Sequence, residues 1–504
     1  MPQRYIYSTQ EIIQCILNLS PNNPHFMNHQ YRALTQASAP RSRAYELGKY
    51  GRLFPWLPPQ APDNEDMRAK MMQLANLSME PSKSPGTNSE KPAGYTYLGQ
   101  FIAHDLTFDP TSIKERQVDP EQLNNFRTPA LDLDSIYGGG PTVTPYFYDI
   151  NEDGYRTRFF LSKVDISKQR TTNPPPFYDV PRLESGLAVI ADPRNDENLF
   201  VSQLHVAFLY LHNYFEKELS ENFKGEARFL EAQRLLRWHY QYVILHDYLK
   251  TVLDPIVVKN AMPELSKNHV HPNLKYFYWR NEPFIPLEFS GAVFRFGHSQ
   301  VREIYRMHDG SEISVFEKKE GDRPTNYVSW EDFFEGVPRN KFRQIDQKLA
   351  ESLFKIPGLP GKPEINLAYQ NLVRGLILQL PSGQSIARAM GLKESILDPE
   401  KLIRLGLDLD FAKNTPLWYY ILLEANFAGG QHLGPVGSQI IAEVIIGMIQ
   451  GDKTSYLNHD PKWVPEIKNE QGEKREKQDF TMVDLLQLAH IYKGTLVQKE
   501  SNPS

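Results

Sequence analysis

The sequence predicts a mainly α protein, a single large helical domain with minor β-hairpins, on three observations. Apolar residues recur at helical spacing through the second half, as with Leu199, Leu204, Phe208, Leu211 and Phe215. The two most apolar windows, around 417–423 and 440–449, are interrupted by Glu424 and Glu443 and read as buried helices, not membrane spans. Strand signals are few, and neither an internal repeat nor a low-complexity segment divides the chain.

Taken in order, residues 1 to about 90 are rich in Pro, Asn, Ser and Gln. Leu53-Phe54-Pro55-Trp56-Leu57-Pro58-Pro59 is a proline-fixed extended stretch expected to wrap over a core. Residues 67–79 read as a helix, closed by the loop Pro81-Ser82-Lys83-Ser84-Pro85-Gly86. Gly99-Gln100-Phe101-Ile102-Ala103-His104-Asp105-Leu106-Thr107-Phe108-Asp109 is helix-compatible, with Phe101, Ile102, Leu106 and Phe108 available for burial.

Residues 110–150 look loop-like, with Tyr137-Gly138-Gly139-Gly140-Pro141 as a strong breaker. Residues 142–148 and 155–162, around Asn151-Glu152-Asp153-Gly154, suggest a hairpin. Helical patterns then cover 199–215, 229–252, 366–380, 402–407, 415–427 and 436–450, and a charged tail after about 460 carries one more helix over 482–491.

At 504 residues the chain has room for a large core, and 40% hydrophobic with 23% charged residues is an ordinary globular composition. The 56 basic and 61 acidic residues form no long block of one sign, which argues against nucleic acid or an anionic membrane as partner and for a small molecule. One cysteine, Cys15, excludes an intramolecular disulfide framework and a multi-cysteine metal site. Met1-Pro2-Gln3-Arg4-Tyr5-Ile6 lacks the apolar core of a secretory leader, so cytoplasmic residence is expected, with leaderless extracellular release as the alternative.

Five segments carry residues suited to chemistry. His104, followed at once by Asp105, is either a satisfied core histidine or a proton-transfer residue beside a cation ligand. Thr128-Pro129-Ala130-Leu131-Asp132-Leu133-Asp134 spaces oxygen donors along a loop, as a hard cation such as calcium requires, although a solvated turn has the same look. Arg194 stands just outside a helix start, where the dipole favours acids such as Asp196 and Glu197. It therefore serves an anion or developing negative charge, or a surface ion pair.

Phe294-Arg295-Phe296-Gly297-His298 offers a histidine with a glycine beside it that leaves room for a flat group, a plausible axial haem ligand. Asn371 and Arg374 lie three apart on an apolar helix face, and Asn371 is suited to accept the second ring proton of a ligating histidine or a helix-packing hydrogen bond. His205 and His212 share one helix face but are flanked by Leu204, Phe208 and Leu211. Without a carboxylate at ligand spacing they read as core residues.

Together these segments resemble the peroxidase–cyclooxygenase superfamily, the animal-type haem peroxidases, and in particular its bacterial members. The motifs run in order as Gly-Gln-x-x-x-His-Asp, Thr-x-x-x-Asp-x-Asp-Ser-x-Tyr-Gly, Arg-x-x-Glu before a helix with His-Asn, Phe-Arg-x-Gly-His, Asn-x-x-Arg-Gly and Leu-Gly-Pro-Val-Gly. The resemblance covers roughly 45–460. It implies a haem peroxidase domain there, an extension over 1–44, and a charged tail with one helix over 461–504.

By that resemblance His104 matches the distal histidine, Gln100 a residue lining the same pocket and Arg194 the distal arginine. His298 matches the proximal iron ligand, Asn371 its hydrogen-bond partner, and Arg295 and Arg374 cofactor contacts. Asp105, Thr128, Ala130 through its carbonyl, Asp132 and Asp134 match a calcium site. The implied activity is reduction of hydrogen peroxide through a ferryl intermediate with oxidation of halide, thiocyanate or phenolic donors, using haem b and Ca2+.

Departures from the pattern narrow that expectation. Glu197 matches one of the two haem-esterifying acids, but Ala103 stands where the other would be, so one ester link is available and two are not. Asn198 replaces the methionine that forms a sulfonium link in one branch. Arg295 occupies the position of the radical tyrosine in the fatty-acid dioxygenase branch, which ranks a dioxygenase second, ahead of a catalytically inactive haem-binding protein.

Overall fold

The computed structural model describes residues 48–80, 87–108, 124–125, 127–164, 177–262, 273–278, 283–317, 322–324, 327–334, 339–356, 364–468, 474–489 and 491. Cys15, Asp109, the 81–86 loop, the 1–44 extension and the end of the tail lie outside them.

The main helices are α1 (Glu65–Leu77), α2 (Gly94–Leu106), α3 (Leu199–Glu218), α4 (Gly225–Val243), α5 (Leu367–Ile377), α6 (Leu417–Phe427) and α7 (Pro435–Gly451). Side-chain caps set several starts: Asn64 accepts the Met67 N–H, Asn198 the Phe200 and Val201 N–H groups, and Asn366 the Tyr369 N–H. The 229–252 pattern is realised as α4 running through a π-turn over Ile244–Tyr248 into Leu249–Val252.

Helix α2 is central. Tyr97, Leu98, Phe101, Ile102 and Leu106 are buried. Phe101 stacks on Phe208 of α3 with centroids 4.6 Å apart, and Tyr240 of α4 meets Phe101 and Phe208 edge-on at 6.1 and 5.5 Å. A 3₁₀ turn over Val293–Gln300 packs against α2, α6 and α7.

The sheets among the described residues have two or three strands each. Gly48–Gly51 pairs antiparallel with Asn124–Asn125 and parallel with Ile285–Pro286, tying three distant parts of the chain together. The expected hairpin is shorter than its pattern: Tyr148–Ile150 pairs with Arg156–Phe159, whereas Gly140–Val143 and Pro145–Phe147 are helical turns. Pro141 and Pro145 sit in the first turns of those pieces, where proline is preorganised, and this displaces the strand start to Tyr148. Ser162–Val164 pairs instead with Phe177–Asp179.

The acids that interrupt the apolar windows have structural partners. Glu424 of α6 accepts the Val436 N–H at 3.0 Å and the Gly437 N–H at 3.3 Å, capping α7. Glu443 of α7 accepts the N–H groups of Lys275, Tyr276 and Phe277 at 2.8–3.1 Å. Glu288 accepts the N–H groups of Leu53 and Phe54 at 3.1 Å, docking the start of the proline-fixed stretch, while Trp56 stays 68% exposed. No helix among the described residues is long and apolar enough to cross a membrane.

Candidate functional site

His104 lies in the last turn of α2, and its ring and backbone are held by a single short element. The 3₁₀ turn Pro193–Asp196 starts at Asp192, whose side chain accepts the Arg194 N–H at 3.0 Å. Arg194 donates from Nε and Nη2 to the Asp192 carboxylate at 3.0 and 2.7 Å, and from Nη2 to the His104 carbonyl at 2.9 Å. Its guanidinium also lies 4.7 Å from the Phe108 ring centre.

Asp192 is fully buried between two arginines, with Arg127 donating at 2.6 Å. Burial alone would push its carboxyl up, but Arg194 and Arg127 outweigh that and hold it well below the usual range. Arg194 is therefore anchored by a permanent carboxylate while its side chain stays 25% exposed.

The His104 ring is buried, and Nδ1 is 2.8 Å from Asn195 Oδ1. Burial, reinforced by the positive charge of Arg194, pushes its pKa down to about 3, so the imidazole is neutral at ordinary pH. Donation of Nδ1–H to Asn195 leaves the Nε2 lone pair as the ring's proton acceptor.

Gln100 lies one turn earlier on α2. It donates from Nε2 to Glu197 and accepts from Asn198 Nδ2, both at 3.2 Å. The structure thus brings Gln100, Ala103, His104, Arg194, Glu197 and Asn198 to one locality, with Glu197 exposed and Gln100 and Ala103 partly so. Asp196 does not serve the helix dipole: it is buried and receives both terminal nitrogens of Arg182 at 2.7 Å, and Asn198 is the cap.

His298 lies in the 293–300 turn against α5. The amide nitrogen of Asn371 is 2.9 Å from His298 Nδ1. A half-turn of that amide presents its oxygen instead, which accepts Nδ1–H and frees Nε2 to ligate. Burial first, then Arg295 and Arg374, push the His298 pKa down to about 3, leaving a neutral imidazole suited to a metal. Arg295 donates from Nε to the Ser290 carbonyl at 2.9 Å, and Trp418 of α6 donates to the Arg295 carbonyl at 3.3 Å, fixing the turn.

The surroundings of His298 leave room for a flat group. A methyl at Gly375 would meet nothing within 4 Å, and one at Gly297 only Gln300 Oε1 at 3.7 Å. Gly297, His298, Arg374 and Gly375 are half-buried, whereas Phe296, Ser299, Leu372 and Val373 beside them are buried. An open cavity of about 890 Å³ elsewhere, lined by Gln60, Asp63, Arg68, Leu376 and Gln379 among others, contains neither histidine.

Behind His104, Asp105 is fully buried and faces the 128–134 loop. It accepts the Leu133 N–H at 3.2 Å and the Ser135 hydroxyl at 2.9 Å. Leu133 adopts φ +62°, a strained conformation for a branched side chain, and the chain there turns around Asp105. Asp105, Asp132 and Asp134 each bring one oxygen within 4.8 Å of the others. Thr128 Oγ1 donates to Asp132 at 2.8 Å, and Ala130 is buried in the same loop.

Burial and then Asp132 raise the Asp105 pKa to about 7, and burial raises Asp132 and Asp134 as well. Close buried carboxylates that resist ionisation together are relieved by a divalent cation.

Sequence reasoning missed Asn195 and His205. His205 is 1% exposed, and its Nδ1 lies 3.0 Å from Asn195 Nδ2, so it partners the 193–196 turn and is not merely core. The available signal was that a buried histidine and a buried asparagine both need partners. His212 is structural, lying 3.0 Å from the Tyr137 hydroxyl and 2.9 Å from the Thr157 carbonyl.

The family model described as animal haem peroxidase matches residues 110–465. The matched span contains every site residue named above from Thr128 to Arg374, while α2 with Gln100, His104 and Asp105 precedes it.

Heme peroxidase 2 of Caenorhabditis elegans is 23% identical over 431 residues, covering 71% of this chain and 58% of its own length. Chorion peroxidase of Drosophila melanogaster is 24% identical over 280 residues, covering 53% and 34%. Thyroid peroxidase of Homo sapiens is 26% identical over 209 residues, covering 38% and 21%. The chain thus spans less than two thirds of the length of each of these relatives.

Among solved structures, peroxidase A from Dictyostelium discoideum is similar with a TM-score of 0.58 at 16% identity, covering 90% of this chain and 96% of that one. A fatty acid alpha-dioxygenase of Oryza sativa gives 0.56 at 13% identity, covering 80% and 77%. These likenesses show a shared mainly α fold.

Proposed function

Because this chain belongs to the animal haem peroxidase family, we propose that it binds haem b with His298 as iron ligand and reduces hydrogen peroxide while oxidising small donors. One observation carries the reading. Two neutral histidines, His104 buried and His298 half-buried, each with Nδ1 beside an asparagine amide, stand on elements packed against each other, α2 and the 293–300 turn, and His104 has an anchored arginine beside it.

His104 Nε2 takes the proton from the attacking peroxide oxygen and returns it to the departing one, a transfer in the range of general acid–base catalysis, about 10²- to 10⁴-fold. Arg194 contributes fixed positive charge where negative charge develops. Its Nη1 donates to none of the described residues, while Asp192 and the His104 carbonyl hold the rest of the group. Gln100, held between Glu197 and Asn198, presents a polar amide one turn from His104.

When bound, haem supplies the redox centre that holds the two oxidising equivalents of peroxide until donors remove them. With its amide turned to present the oxygen, Asn371 raises the basicity of His298 by accepting Nδ1–H, and Arg295 and Arg374 offer cationic partners for propionates. Glu197 is available for one ester link and Ala103 for none, so at most one covalent bond forms. The oxygen set of Asp105, Asp132, Asp134, Thr128 and the Ala130 carbonyl suits Ca2+.

The donors are halide, thiocyanate or phenol, with chloride a poor one, because few covalent links leave the haem little distorted and its potential low. A steady-state assay of the haem-loaded protein with iodide, thiocyanate, chloride and a phenol tests this. Peroxide-dependent turnover of the easier donors, lost in His104→Ala, is expected. Efficient chlorination near neutral pH would contradict the donor assignment, and peroxide-independent oxygenation of a fatty acid would favour a dioxygenase.

A further inference from the structure

We propose that Asn195 and His205 form a positioning pair that fixes the ring tautomer of His104, an inference that rests on the peroxidase reading of the site. Nδ1 of His104 lies 2.8 Å from Asn195 Oδ1, and Asn195 Nδ2 lies 3.0 Å from His205 Nδ1. The three side chains are 7, 0 and 1% exposed, so no bulk water competes for these contacts.

A primary amide has two unlike ends, so it couples the two rings. With its oxygen toward His104, it accepts Nδ1–H there and donates N–H to an unprotonated Nδ1 of His205. His104 then keeps its Nε2 lone pair, and His205 carries its proton on Nε2. With the amide reversed, both tautomers reverse, and His104 presents an N–H where peroxide needs a base. His205 therefore acts through Asn195: its Nε2–H tautomer, with Nδ1 as acceptor, is the one matched by the amide orientation that leaves His104 competent.

The backbone supports the same geometry. The Asn195 N–H donates to the Asp192 carbonyl at 3.0 Å, so the 3₁₀ turn that presents Arg194 to the His104 carbonyl presents Asn195 to the His104 ring. Orientation by an outer partner is worth about 10- to 100-fold at metal-ligating histidines, and the same scale is expected here.

The test uses the haem-loaded protein with ¹⁵N-labelled histidine, in its diamagnetic ferrous carbonyl form, with ring nitrogens assigned through His104→Gln and His205→Gln. His104 is expected as the Nδ1–H tautomer and His205 as the Nε2–H tautomer. In Asn195→Asp, which accepts from both sides and donates to neither, His104 keeps Nδ1–H and His205 switches to Nδ1–H. In Asn195→Leu, His104 becomes a mixture, and its bimolecular rate with peroxide falls about 10- to 100-fold, with the rate of donor oxidation unchanged.

An Nε2–H tautomer of His104 in the parent protein overturns the proposal, as does an Asn195→Leu variant that leaves both tautomer and peroxide rate unaltered. The tautomers are read whether or not the protein turns over peroxide, so failure of this inference and failure of the peroxidase reading are separate results.

Discussion

At the residue scale, the proposed chemistry depends on neutral histidines, and desolvation keeps them so. His104, His205 and His298 have pKa values pushed down to about 3, burial being the first cause in each. Between pH 6.5 and 3 the unfolded chain binds protons that these folded rings refuse, so stability falls as acid is added through that window. The peroxide rate is expected to stay flat above about pH 4 as far as His104 is concerned; a rate tracking an ordinary histidine near 6.5 would show its ring to be solvated. His104→Gln keeps a polar side chain but removes the base, and is expected to slow the peroxide step by about 10²- to 10⁴-fold in stopped flow, with the resting absorption spectrum retained. The candidates His104, Arg194 and His298 stood out in the sequence because their neighbours form ordered motifs. Asn195 and His205 did not, because their pairing spans ten residues across a 3₁₀ turn and a helix start, and no local periodicity encodes it.

At the element scale, α2 carries both His104 and, one position on, the Asp105 carboxylate facing the 128–134 loop, so the candidate cation site and the His104 ring share one helix. A cation competes with the proton that a raised Asp105 holds below about pH 7. Millimolar calcium is therefore expected to raise the melting temperature at pH 7.5 and much less at pH 5.5, the gain approaching about 2.7 kcal/mol at 100 times Kd, and Asp132→Asn should abolish most of it. An equal calcium response at both pH values would contradict this site. Helix α7 depends on a second buried acid. Glu424 has its pKa raised to about 8, burial outweighing the Val436 and Gly437 N–H groups. Since the folded chain holds that proton between about pH 4.5 and 8, stability declines as pH rises through this range, and Glu424→Gln should flatten the decline. Glu424→Ala, which orphans the α7 N–H groups, should cost about 1–2 kcal/mol in denaturant melts. The helices at 199, 417 and 436 were legible from their apolar spacing. The roles of Glu424 and Glu443 were not, since their partners come from other segments.

At the scale of the whole molecule, the helical architecture was predicted from periodicity, and the wrapping of the polar N-terminal part was only half readable. Leu53 and Phe54 dock through Glu288, 235 and 234 residues away, whereas Trp56 stays outside. Long-range anchors of this kind leave no trace in local sequence. The central claim is that the elements bearing His104 and His298 enclose haem and direct peroxide chemistry. The most direct measurement is the absorption spectrum of the purified, haem-supplied protein before and after one equivalent of hydrogen peroxide, repeated with His298→Ala. A Soret band that shifts on peroxide addition and returns when a donor is added, and that is lost in the variant, is the predicted result. No Soret band in the intact protein, or an identical peroxide-responsive band in His298→Ala, would contradict the account.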